Sequence, residues 1–165
     1  IRFEELIEAD APMQDVLPSI YYANIDKYKG YHIRQLCQEM HDFYKDRQVS
    51  TLQERLFLHD YFPEYVLNPQ DANFEFQRGK GELVPLDEAE GRIALEGALP
   101  YPPGVLCVQP GERWSKTACD YFLALQEGIN KLPGFAPEIQ GVYITPQPDG
   151  TKKAYGYVLK KEFEK

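Results

Sequence analysis

The sequence predicts an α+β fold: three main helices with short antiparallel strands and a C-terminal β-hairpin, in a single domain. Three observations predict it. Apolar residues recur at three- and four-residue steps over 33–44 and again over 118–129, the period of a helix with one buried face. Short β-like runs bounded by Gly and Pro fill the middle and the C-terminal end, and one pair of them flanks a five-residue turn. Helices and strands are segregated, with no repeating βαβ period, which separates α+β from α/β.

Taken in order, residues 1–30 read as a linker leading into the domain proper, which covers 31–165. Phe3, Leu6 and Ile7 suit one side of a short helix, and Pro12 and Pro18 interrupt it. The next helix is predicted over 30–47, with Ile33, Leu36, Cys37, Met40, Phe43 and Tyr44 on its buried face and Arg34, Gln38, Glu39, Asp42 and Lys45 on the other. Ser50 and Gln53 have capping-box spacing, so a helix capped by Ser50 is expected to run to about His59, burying Leu52, Leu56 and Phe57 before Pro63. Asn68-Pro69-Gln70-Asp71 is turn chemistry, followed by a short helix over 72–77.

Strands are predicted over 82–86, 92–95 and 105–108, with Gly91 supplying a tight turn. Ser115 caps the third main helix, whose stripe is Ala118, Tyr121, Phe122, Leu125 and Ile129. Gly128, Pro133 and Gly134 are expected to end it. Strands over 141–145 and 154–160 then form the hairpin.

Composition excludes several function classes. Among 165 residues, 18 Lys and Arg against 26 Asp and Glu give a net charge of −8, which disfavours a nucleic-acid partner. Apolar runs fall far short of the ~20 residues of a membrane span. Cys37, Cys107 and Cys119 are odd in number and widely spaced, which fits a reducing, cytoplasmic setting and neither a disulfide framework nor a zinc motif. The chain opens Ile1-Arg2-Phe3-Glu4, without an initiator Met or the order of a signal peptide. It reads as a piece of a longer polypeptide.

Motifs for chemistry are sparse. His32, His41 and His59 belong to no metal-ligand spacing, so no metal site is predicted. There is no GxSxG elbow and no Gly-rich phosphate loop of either standard spacing. Cys37 and Cys107 sit in apolar patterns, and Cys119 lies in the first turn of a helix without a nearby His. What stands out is Leu99-Pro100-Tyr101-Pro102-Pro103-Gly104. Proline fixes φ and removes a donor, so this segment is stiff and unsuited to a central strand. A stiff loop is held against a ligand or another subunit at little entropic cost, and Tyr101 offers an amphipathic side chain. The alternative is a loop that only turns the chain between two strands. Glu96 and Glu112 flank it and are candidates for a local negative field at its mouth.

The stretch from Asp87-Glu88-Ala89-Glu90-Gly91-Arg92 through Glu96-Gly97-Ala98-Leu99-Pro100-Tyr101-Pro102-Pro103-Gly104-Val105-Leu106-Cys107-Val108 to Pro110-Gly111-Glu112 resembles the C-terminal domain of the bacterial ornithine/lysine/arginine decarboxylases. Gln35-Leu36-Cys37-Gln38-Glu39-Met40-His41-Asp42 and Asn68-Pro69-Gln70-Asp71-Ala72 resemble it too. Two segments, 121–128 and 132–143, look like the ornithine branch.

The resemblance implies a pyridoxal-phosphate enzyme in which this domain packs on the upstream catalytic domains of the same polypeptide, in a homo-oligomer, a dimer or higher. It implies that Tyr101, Pro102, Pro103 and Gly104, with Glu96 and Glu112, help shape the substrate entrance. In that family the pyridoxal-anchoring lysine follows a histidine, and no His-Lys pair occurs here. The resemblance therefore carries no catalytic or cofactor-binding residue onto this chain. Its branch leaves lysine or arginine as alternative substrates, and a free-standing interaction or ligand-sensing module as an alternative of another kind.

Overall fold

The structure, a computed structural model, describes residues 3–101 and 104–164. Among them are eight α-helices and five strands, and the mixed class matches the sequence expectation. The segment before residue 30 holds four short helices, α1 (Phe3–Glu8), α2 (Met13–Val16), α3 (Pro18–Ala23) and α4 (Ile25–Tyr28). They gather around Met13, Tyr21 and Tyr28 and bury these against Ile33 and Leu36 of α5 (Ile33–Asp46). Helix α5 forms where the apolar period predicts it. It starts after Gly30, whose φ of +78° makes the turn, and Ile33 N–H bonds to Ala11 C=O at 3.0 Å.

Helix α6 (Val49–Arg55) departs from the expected cap. Its N-cap is Gln48 in the left-handed region at φ 52°, without a side-chain cap bond. Ser50 is inside the first turn, so the capping-box reading of Ser50 and Gln53 does not hold. The helix also stops at Arg55 rather than His59. Leu56 is buried, whereas Phe57 is 46% exposed, against expectation. Helix α7 (Pro69–Gln77) begins three residues before its predicted start. Asn68 accepts from Asp71 N–H at 2.9 Å, and Pro69 at N1 lacks the donor that position would leave unpaired.

Helix α8 (Lys116–Lys131) is capped by Ser115, which accepts from Ala118 N–H at 3.2 Å. Gly128 does not end it. The glycine lies inside the helix because an added Cβ would come within 3.0 Å of the Phe43 ring, so α5 and α8 approach closely there. The helix packs on an antiparallel sheet of order β1-β5-β4, made of β1 (Gly81–Pro85), β5 (Lys152–Leu159) and β4 (Val142–Pro146). The predicted hairpin is β4 and β5, in register from Val142↔Gly156 to Pro146↔Lys152. Trp114, Phe122, Val142, Ala154 and Val158 fill the space between helix and sheet. Gly156 makes room for the indole, since a Cβ would meet it at 3.0 Å.

Strand β1 stops opposite Tyr155. Beyond it, α8 side chains take over. Asn130 donates to Lys152 C=O at 2.8 Å and accepts Lys152 N–H at 2.7 Å, and Gln126 accepts Ala154 N–H at 2.6 Å.

Two predicted strands reduce to single bridges. Residues 92–95 contribute Ile93↔Arg113 and Ala94↔Val158, and 105–108 contribute Ala98↔Val108. The strand in this region is instead β2 (Leu99–Tyr101), paired antiparallel with β3 (Glu138–Gln140) in a separate two-stranded sheet. Pro100 is tolerated because a two-stranded ribbon leaves each strand with an open side.

Candidate functional site

Tyr101 ends β2, and Gly104 lies close to it. Gly104 N–H bonds to Pro100 C=O at 2.9 Å. Gly104 has φ +77°, and a Cβ there would fall 2.9 Å from the Tyr101 ring. Glycine is therefore required twice, for its backbone conformation and for the ring that lies over it. Tyr101 is 55% exposed. Pro102 and Pro103 lie outside the described residues.

Glu96 is placed by a second close approach. At Gly141, φ is +71° and an added Cβ would sit 2.0 Å from Gly97 C=O. Only glycine permits this contact. It pins the β3–β4 corner to residues 97–98, whose other side is held by Ala98 N–H to Val108 C=O at 2.9 Å. Tyr143, two residues past the corner, then donates its hydroxyl to Glu96 Oε2 at 2.6 Å. That bond, with burial second, pushes the Tyr143 phenol up to about 12, so it stays a donor at neutral pH. The Tyr157 ring meets Tyr143 edge-on at 5.9 Å. No local pattern in the sequence marks Tyr143, which lies 47 residues from Glu96.

Glu112 has a different task. Its Oε2 accepts Gln109 N–H at 2.7 Å, closing the turn at 109–112. Its backbone C=O accepts Ala94 N–H at 2.8 Å. The two glutamates thus take separate partners rather than each other, with Glu96 on the β4 side and Glu112 in the turn beside Tyr65, with which it forms an isolated bridge.

This constellation holds a carboxylate, a phenol and an aromatic face. It suits recognition of a cation, and it holds no nucleophile. Burial pushes the Cys107 thiol up to about 11 and the Cys119 thiol up to about 12, away from the thiolate that nucleophilic catalysis needs. Among the described residues, no group of three or more His, Cys, Asp or Glu is placed to hold a metal ion, and no helix is long and apolar enough to cross a membrane.

The fit to pyridoxal phosphate is equally direct. An imine-forming lysine needs a desolvated amine with a lowered pKa. Among the described residues no charged side chain is buried. Lys27, Lys80, Lys116 and Lys153 are paired with Glu39, Glu75, Asp120 and Asp87. For Lys27, burial pulls the pKa down, but the bonds to Glu39 and Tyr31 outweigh it and the net shift is upward. Lys116 is raised by Asp120. The described residues do not fit this cofactor.

Residues 50–160 match the family described as Orn/Lys/Arg decarboxylase, C-terminal domain. The chain is 65% identical over 95% of its length to an ornithine decarboxylase of Haemophilus influenzae, and 58% identical over 97% to an inducible ornithine decarboxylase of Escherichia coli. It covers 22% of each of these proteins, so it spans about a fifth of the length of its curated relatives. The solved structure of lysine decarboxylase A from Pseudomonas aeruginosa superposes with a TM-score of 0.86 at 32% identity, over 96% of this chain and 21% of that one. The chain belongs to the C-terminal domain family of the Orn/Lys/Arg decarboxylases.

Proposed function

We propose that this chain is the C-terminal domain of a cytoplasmic, pyridoxal-phosphate-dependent ornithine decarboxylase, a carboxy-lyase that converts L-ornithine to putrescine and CO₂. The observation that carries the substrate is a step in identity. Four relatives named as ornithine decarboxylases are 57% to 65% identical, whereas those named as lysine decarboxylases are 30% to 33% identical. In this reading the cofactor is held by the upstream domains of the same polypeptide, in a homo-oligomer, because no lysine among the described residues is buried and Lys27, Lys80, Lys116 and Lys153 are tied to carboxylates.

The domain's own share is the substrate entrance. Tyr101 and Gly104 border that entrance, Pro102 and Pro103 are assigned to it from the sequence alone, and Glu96, braced by Tyr143, presents negative charge to a dicationic amino acid. The net charge of −8 adds long-range attraction for such a substrate. Glu112 supports the entrance by fixing the 109–112 turn.

Decarboxylation of ornithine, lysine and arginine by the full-length protein tests the substrate, with ornithine expected to have the highest kcat/KM. A preference for lysine or arginine overturns the assignment. Tyr101→Ala in the full-length enzyme is expected to lower kcat/KM about tenfold, equivalent to about 1.4 kcal/mol, without lowering its unfolding midpoint. An unchanged kcat/KM removes the loop from the entrance.

A further inference from the structure

Between α6 and α7 the chain exposes Phe57, Leu58, Tyr61, Phe62 and Tyr65, with Phe62 at 56% and Tyr65 at 59%. The sequence pattern calls for burial at Phe57, and this chain does not supply it. The segment is not loose. Glu64 C=O accepts Arg113 N–H at 2.9 Å, and the Glu64 carboxylate pairs with the Arg113 guanidinium at 3.1 Å. The Arg55 guanidinium lies over the Tyr61 ring at 5.4 Å. Past Tyr65, Val66 and Leu67 are fixed by N–H bonds to Gly111 C=O, both at 3.0 Å, and they line a cleft of about 400 Å³ with Phe74 and Phe163. Aromatic side chains left open on a backbone that is tied down are the composition of an interface core.

We infer that this aromatic strip is the face by which the domain docks on the upstream part of its own polypeptide. The inference rests on the reading above and names the docking surface it leaves open. Two observations select this occupant over a second copy of the domain. The four aromatic side chains leave roughly 400 Å² open, at about half of the 150–250 Å² each can bury, and Leu58 adds a smaller area. A stable interface between separate molecules uses about 800 Å² per partner, so the strip alone falls short. A tethered partner needs less, because the linker raises its effective concentration to the millimolar range. The relatives supply such a partner, since this chain covers only 22% of their length. The strip also adjoins the candidate entrance, through the Tyr65↔Glu112 bridge, so docking along it would carry the 109–112 turn onto the upstream domains.

Hydroxyl-radical footprinting of the full-length protein tests this. Phe57, Phe62 and Tyr65 are expected to react as slowly as Tyr121 and Phe122, which are buried within the domain, and to keep that protection on dilution to the smallest assembly. Reaction several-fold faster than Tyr121 overturns the inference. Protection that disappears on dilution overturns it too, in favour of a second copy. Neither readout depends on decarboxylation, so loss of the ornithine reading leaves the docking result standing on its own.

Discussion

The helical region around Met13 and the body around Trp114 bury their side chains by different means. In the first, four helices of four to six residues are too short to be stable alone. They are held by a small cluster of Met13, Tyr21, Tyr28, Ile33 and Leu36. In the second, a sixteen-residue helix lies on a three-stranded sheet, and among the described residues sixteen buried side chains share one cluster. The two regions meet along α5 and at the 133–135 turn, where Arg47 pairs with Glu127 at 2.6 Å and Phe135 meets the Tyr28 ring. Tyr28 donates to Pro133 C=O at 2.9 Å, and Phe43 abuts Gly128. Local stability follows such differences in packing, so the helical region is expected to open before the body does.

The largest expected effect separates the two. Trp114→Ala removes a side chain that is 1% exposed and should cost about 3–5 kcal/mol, lowering the unfolding midpoint of the whole chain by roughly 10 °C. Met13→Ala, by contrast, should strip amide protection from α1–α4 while α8 and β5 keep theirs. Hydrogen exchange on both variants checks this. Equal loss of protection throughout after Met13→Ala would mean a single cooperative unit.

A smaller effect sharpens the boundary. Tyr28→Phe removes the bond to Pro133 and should cost about 1 kcal/mol, read from denaturant midpoints. The expected signature is faster exchange in α3 and α4, with α8 unchanged.

The smallest effect is a titration. Tyr28 and Tyr121 are both raised to about 12, by burial first in each case. A phenol whose pKa is higher folded than unfolded stabilises fully below its unfolded value near 10. That contribution is lost as pH rises from about 10 toward about 12. Ultraviolet titration should show ordinary tyrosines ionising first and these later. If the helical region opens first, Tyr28 ionises ahead of Tyr121, and simultaneous ionisation argues against separate opening.

The elements legible in the sequence are those whose information is local. Helix α5 follows from its apolar steps, α8 from its stripe and Ser115, and the β4–β5 hairpin from Pro146 to Gly150. The pairing of β2 with β3 was hidden because its partners lie far apart in the chain and Pro100 argues locally against a strand. Gly128 carries the sign of a helix end, yet it is there for the Phe43 ring, which only packing reveals. At the candidate site, the Tyr101 loop was readable from its prolines and Glu96 from its position beside them. Tyr143 was not readable, because the Gly97–Gly141 contact that delivers it to Glu96 depends on tertiary structure.

The amides that α8 lends to β5 have a consequence of their own. Asn130 carries on one side chain the same donor and acceptor as a peptide unit, and it satisfies Lys152 as a neighbouring strand would. An intruding extended segment would have to displace that mimic before it could zip onto the sheet there. The helix that fills the core thereby also guards this corner against cross-chain stacking.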